Sequence, residues 1–224
     1  MDEILRGHGD WQQRIASALS QATRPISTDP RFTPRLTPRP QGLDRPGIPL
    51  ARVEARPAAT LLLVYPGPAG ELVIPLTLRH ADLRAHAGEW SLPGGASDPS
   101  DVDLQATALR EAHEEIGLEP ADVQVAGTLD DIWIPVSNFK LRPFVATAAV
   151  RPDLQPQTDE VAAILELPLR FILTDDVVSE ELITGSDWAL KAAVYRYAGE
   201  RIWGATARTL AMLSAALAEA GNGL

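Results

Sequence analysis

Between residues 94 and 118 the chain reads GGASDPSDVDLQATALREAHEEIGL, and this stretch restricts the fold more than any other. Two adjacent glycines let the backbone turn tightly and bring its N–H groups close to an anion. Each residue of a helix advances about 100°, so Leu104, Ala108, Leu109, Ala112 and Ile116 form one apolar arc suited to packing, and Gly117 supplies the C-terminal stop. Glu111, Glu114 and Glu115 share the neighbouring arc, roughly 100° wide. Like charges at i,i+4 cost a helix about 0.2–0.5 kcal/mol per pair, so Glu111 with Glu115 calls for a counter-charge. A hard divalent cation is the natural one, because Mg²⁺ takes oxygen ligands and combines one or two carboxylates with substrate phosphates. Taken alone, a solvated acidic face is the competing reading of the same residues. Arg110, next to Glu111, either orients that carboxylate or pairs with a neighbouring acid.

The flanking sequence predicts what this helix packs on. AATLLLVY and ELVIPLTLR read as strands around a PGPAG turn, and VQVAGTLDDIWI, LRPFVATAAV and AAILELPL are further strand candidates. Helical spacing returns around 168–173 and at 204–220. Strands interleaved with a few helices, without strict βαβ alternation, predict an α+β fold with a mixed sheet flanked by helices. Ahead of it, Trp11, Ile15, Ala18 and Leu19 mark a short amphipathic helix with Asp10 as its expected cap. The stretch from Arg24 to Pro57 holds eight prolines and seven arginines and reads as an extended strap over the surface. Its arginines have two readings, phosphate contacts or a solvated or salt-bridged strap on an acidic domain. The expected organisation is therefore an N-terminal helix and strap over residues 1–55 and a main domain over residues 56–224.

Composition removes several function classes. A net charge of −10 opposes general affinity for nucleic acid or anionic membranes, so neither is an expected partner. The absence of cysteine excludes disulfides, thiolate metal sites and cysteine nucleophiles. No long apolar run suggests a secretory leader or a membrane span, and the cytoplasm is the expected location.

The tail REAHEEIGL matches the Nudix hydrolase signature at every position, and the chain is identified here as resembling that family. The first half of the signature departs from the family pattern, since Gly95 is followed after five residues by Asp101 in place of glutamate, and eight residues in place of seven precede Arg110. The segment LTLRHADLRAHAGEWSLPGGASDPSD resembles the leader of the coenzyme A diphosphatase branch, with Arg79, Leu83, Arg84, His86 and Gly88 at the expected places. IPVSNFKLRPFV and RIWGATARTL are similar to other segments of that branch. His80 and Glu89 depart from it, standing where the branch often has serine and glutamine.

The resemblance implies a Nudix-type α/β/α sandwich over residues 56–224. It also implies Mg²⁺-dependent hydrolysis of a nucleoside diphosphate derivative, coenzyme A in particular, with Mn²⁺ as an alternative metal. Glu111, Glu114 and Glu115 would hold the metal, and the adjacent Arg110 would serve the same catalytic helix. Glu160, ahead of the last strand, would be a further ligand or the base, with a solvated loop glutamate as the alternative. Arg79 and Arg84 are candidates for substrate phosphates, because a planar guanidinium grips phosphate with two bonds; salt bridges to nearby acids are the alternative. His86 either contacts phosphate or caps its own turn. The backbone at Gly94 and Gly95 would approach the substrate. The tryptophans read as packing residues, with stacking on adenine as the alternative; Ser137 and Phe139 are assigned to the acyl or pantetheine side by resemblance alone, and a homodimer is a candidate assembly. The rival assignments are another nucleoside diphosphate derivative, such as ADP-ribose or NADH, and a non-catalytic nucleotide-binding module.

Overall fold

A computed structural model describes residues 9–32, 35–36, 54–80, 88–134, 137–157, 160–174, 177–184 and 189–222. Its centre is the strand pair β2 (Arg56–Pro66) and β8 (Phe139–Thr147), which run parallel with Ala59 opposite Arg142 and Leu63 opposite Ala146. A run such as AATLLLVY, apolar at every position, belongs in the middle of a sheet covered on both faces. Residues 58–65 of β2 are indeed all buried. β3 (Leu72–Arg79) returns antiparallel through the 67–70 turn, where Gly70 at φ 85° takes a conformation open to glycine. Around this centre lie β4 (Trp90–Ser91), β5 (Gly94–Ala96), β6 (Gln124–Thr128), β7 (Ile132–Ile134) and β9 (Val161–Pro168). Together they make an eight-stranded mixed sheet among the described residues.

The two faces of this sheet carry separate cores. Ala59, Leu61, Leu63 and Tyr65 point to one side and pack beneath Ala108, Ala112 and Ile116 of the helix Leu104–Ile116. Leu62, Val64, Ile74 and Leu76 point to the other. There they meet α1 (Trp11–Gln21) and the C-terminal helix Gly204–Asn222. With Leu104–Ile116 as α2, the short Leu169–Ile172 as α3 and Gly204–Asn222 as α4, the layers are α/β/α. This is the expected class.

The N-terminal helix joins the same core as the rest. Trp11, Ile15, Ala18 and Leu19 are each at most 4% exposed. An isolated helix of this length is marginal in water, and burial at about 1.5–3 kcal/mol per large apolar side chain supplies the missing stability. Asp10 does not cap it through its side chain; the carboxylate instead accepts from Arg14 Nε at 3.0 Å. In the strap, Ile26 and Phe32 are buried and Phe32 packs on Tyr195, so part of it is core, not cover. Among the strap arginines with described side chains, Arg24 pairs with Asp130, Arg31 with Asp29, and Arg56 lies 4.3 Å from the centre of the Phe139 ring. Arg24 and Arg31 follow the salt-bridged reading, whereas Arg56 packs on an aromatic ring.

A second sheet was not expected from the sequence. β10 (Val178–Thr184), β11 (Ala189–Tyr197) and β12 (Glu200–Ile202) form an antiparallel meander, and β1 (Arg35–Leu36) pairs with the start of β11 on the edge away from β10. Its strands intersperse Val178, Ile183, Val194 and Ile202 with alanine and glutamate, residues of low strand preference, which dilutes the β-branched signal. Among the described residues no helix is long and apolar enough to cross a membrane.

Candidate active site

The site is built where β5 passes under α2. Gly95 pairs with Ala59 and Gly94 with Thr60 on β2, which brings the glycine pair against the helix. α2 begins at Asp103, whose side chain accepts from Ala106 N, and ends at Gly117 with φ 66°. Its caps set the ends, the packing of Ala108, Ala112 and Ile116 on the sheet sets its rotation, and its glutamates fall into three environments.

Glu111 lies directly over Gly95. A Cβ at that glycine would stand 2.5 Å from Glu111 Oε2, so only glycine leaves the carboxylate its place. Glu115 is buried at 3% exposure, with Oε1 3.6 Å from Arg79 Nη1 and Oε2 without any hydrogen-bond partner. Loss of water raises its pKa to about 8, assisted by the negative charges of Glu111 and Glu160, while Arg79 and the Gly94 N–H pull the other way. Burial likewise raises Glu111, against the pull of Arg110. Glu114 stays 56% exposed and turns to Arg110.

Arg110 organises this end of the helix. Its Nη1 donates to Glu111 Oε1 at 2.9 Å and Glu114 Oε2 at 2.8 Å, its Nε to Asp101 Oδ1 at 2.9 Å, and its Nη2 to Asp101 Oδ2 at 3.0 Å and the Ala96 carbonyl at 3.1 Å. All five N–H donors of a guanidinium are thereby used. Both readings of Arg110 hold at once, since it orients Glu111 and pairs with other acids. The partner Asp101 is itself fixed by Thr107 Oγ1 at 2.8 Å, and its bonds to Arg110 hold its carboxyl far below the usual range. Nothing in the sequence marked Thr107, because a threonine inside a helix reads as a poor helix former and no more.

The three glutamates therefore do not converge on one point. Among the described residues no three acid or histidine side chains are gathered into a ready ligand shell. The reason is electrostatic: the Arg110 guanidinium already serves as the counter-cation and draws Glu111 and Glu114 to a single nitrogen. What is left is a donor set of carboxylate oxygens only, one of them buried and unpartnered. That chemistry fits a hard divalent cation, which Glu115 and Glu111 could hold as inner donors and Glu114 as an outer one.

The remaining candidates surround this centre. Arg79 ends β3 and takes the salt-bridge alternative, against Glu115. Glu160 is exposed just before β9, its carbonyl accepting from His80 N, and its charge reaches both Glu111 and Glu115. Arg84 and His86 lie outside the described residues. Ser137 and Phe139 sit with Arg56 at the start of β8, the former through its carbonyl and the latter under the guanidinium.

The glycine pair yields a contrast that can be measured. Gly95→Ala displaces only the flexible end of Glu111, so turnover is expected to fall by about 10²-fold with little change in melting temperature. Gly94→Ala sets its Cβ against the Ala59 carbonyl and 2.7 Å from Thr60 Cα. Backbone cannot yield cheaply, and a stability loss of about 1–3 kcal/mol is expected in denaturant titration.

Comparison with known proteins adds the following. The model of the family described as NUDIX domain matches residues 55–185. The "Uncharacterized Nudix hydrolase NudL" of Pectobacterium atrosepticum is 43% identical over 116 residues, covering 52% of this chain and 59% of that protein. "Nudix hydrolase 22, chloroplastic" of Arabidopsis thaliana is 36% identical over 172 residues, 72% of this chain and 56% of that one. The alignments thus span under two thirds of these relatives' length. Among solved structures, a Nudix hydrolase from M. smegmatis, RenU, aligns with a TM-score of 0.44 at 26% identity, over 52% of this chain and 72% of that chain.

Proposed function

The chain belongs to the NUDIX domain family, and on that premise we propose that it is a Mg²⁺-dependent diphosphatase that hydrolyses coenzyme A or its derivatives. The products would be 3′,5′-adenosine bisphosphate and (acyl-)4′-phosphopantetheine. The observation that carries the chemistry is the buried, unpartnered Glu115 Oε2 beside Glu111, whose carboxylate lies against the glycine pair. A metal bound there would polarise a phosphate oxygen and acidify water.

The protein's own groups then have distinct work. Glu111, Glu114 and Glu115 hold the metal, and Arg110, braced by Asp101, keeps the first two in register. Glu160, exposed and within electrostatic reach of both inner glutamates, takes the proton of the attacking water. The water oxygen bonds to phosphorus, the anhydride P–O bond breaks, and the leaving phosphate carries away the electron pair. Arg79, on the same side, offers its guanidinium to the phosphates.

One observation favours a rival substrate with the same chemistry. Glu89 lines a polar cavity of about 260 Å³ with Trp90, Arg201 and Trp203, one strand from Arg79. A carboxylate there suits the paired hydroxyls of an unphosphorylated ribose, as in ADP-ribose or NADH. Incubation with Mg²⁺ and coenzyme A, NADH, ADP-ribose and diadenosine polyphosphates, with products identified by mass spectrometry, decides between them. Fastest turnover of coenzyme A is expected; faster turnover of any other compound overturns the assignment.

A further inference from the structure

The strand register places a second charged group on the face of the sheet that carries the glutamates. Gly95 pairs with Ala59, and Ala59 with Arg142. Residues directly opposite one another project to the same face. Here it is the face under α2, since Ala59 and Phe144 pack with Ala108 and Ala112. Arg142 thus shares the face of Gly95 and the Glu111 carboxylate above it, two strand spacings or about 10 Å away. Its guanidinium donates to both oxygens of Asp131, at 2.8 and 3.0 Å. Lys140, two residues earlier and on the same face, has its Nζ 3.0 Å from Asp131 Oδ2.

Two cations share one carboxylate. The neighbouring acid Asp130 does not neutralise the second, because it is taken by Arg24 and the Ile26 N–H. Lys140 remains 60% exposed and Arg142 42%, and Trp133 is the cross-strand neighbour of Lys140. Exposed ion pairs contribute little to stability, so folding has little need of the second cation. In a chain of net charge −10, a local positive excess beside a hydrolytic site answers an anion.

We propose that Lys140 and Arg142, aligned by Asp131, form a subsite for a phosphate monoester on the nucleoside half of the substrate. Resting on the coenzyme A reading, it assigns to them the 3′-phosphate, which a ribose and two ester linkages separate from the cleaved anhydride. The Glu89 cavity is left to other parts of the substrate.

Coenzyme A and dephospho-coenzyme A differ by this one phosphate, so the ratio of their kcat/KM values reads the subsite. Lys140→Gln is expected to shift that ratio against coenzyme A by about tenfold, equivalent to about 1.4 kcal/mol. Asp131→Asn, which removes the shared counter-charge, is expected to shift it in favour of coenzyme A. A merely structural cluster would not produce opposite signs. Calorimetric titration of adenosine 3′,5′-bisphosphate and AMP into the same three proteins reads the preference without turnover. Unchanged ratios and unchanged bisphosphate preference overturn the subsite, even in an enzyme that cleaves coenzyme A. A Lys140-dependent bisphosphate preference in a protein that leaves coenzyme A intact supports the subsite and overturns the proposed reaction.

Discussion

The Glu115→Gln protein is expected to fold normally and to lose about 10³-fold or more in kcat. Glutamine keeps the shape of the side chain and removes only the charge. If Glu115 served packing alone, that exchange would be neutral or stabilising, because a carboxylate at 3% exposure with an unpartnered oxygen is a cost to the fold. Collapse of turnover together with an equal or higher melting temperature near neutral pH therefore separates a functional charge from a structural one. Glu114→Gln provides the scale, since that side chain is 56% exposed and held by Arg110, and a loss of about tenfold is expected for an outer donor. Steady-state hydrolysis and thermal melts of the two variants make the measurement. Retained activity in Glu115→Gln would remove the proposed metal centre.

The parts of this site that could be read in the sequence are those set by local geometry. Helix periodicity and the Gly117 end determine α2, and the apolar run of β2 determines a strand; the Asp103 cap emerged only in the structure. The apolar periods of α1 and α4 were legible for the same reason. The division of labour among the glutamates was not. Sequence spacing places Glu111, Glu114 and Glu115 on one arc, but a helix wheel does not include the cation beside them. Arg110, four residues before Glu114, pulls that carboxylate outward, while Glu115 falls on the edge that the sheet buries.

Asp101 shows the same limit from another side. Its distance in sequence from Arg110 departs from the family pattern, yet the loop brings it to the guanidinium, where Thr107 and Arg110 hold it. Strand register was equally hidden. Nothing in FKLRPFVAT says that Arg142 stands level with Gly95, because the alignment is created by β2 lying between them. The β10–β12 meander escaped because alanine and glutamate carry little strand signal, and its placement depends on what Ala193, Tyr195 and Ile202 bury against.

The electrostatics of the same helix predict how stability responds to pH and to metal. For Glu115 the folded-state pKa of about 8 lies above the value of 4.5 expected in the unfolded chain. Between these values the folded protein holds a proton that the unfolded chain has released, so stability falls as pH rises through the window and is fully present below it. Asp101 works in the opposite sense and elsewhere. Its carboxyl is depressed by Arg110, so its contribution is present above the unfolded value of 3.8 and lost as pH falls below it. The metal-free protein is therefore expected to be most stable in mildly acidic solution and to lose a few kcal/mol toward about pH 8. For a chain of this length that loss lowers the melting temperature by about 5–10 °C. A divalent cation binds the ionised carboxylates of the folded state, so Mg²⁺ should restore stability at the alkaline end and do little near about pH 5. Glu115→Gln lacks this proton and keeps only the raised Glu111, so its melting temperature should vary less across the same window. Thermal melts with chelator or with Mg²⁺, for both proteins, test the linkage without any substrate. A flat or rising profile for the metal-free wild type would contradict the buried charge, and an equal Mg²⁺ response in both proteins would place the cation elsewhere.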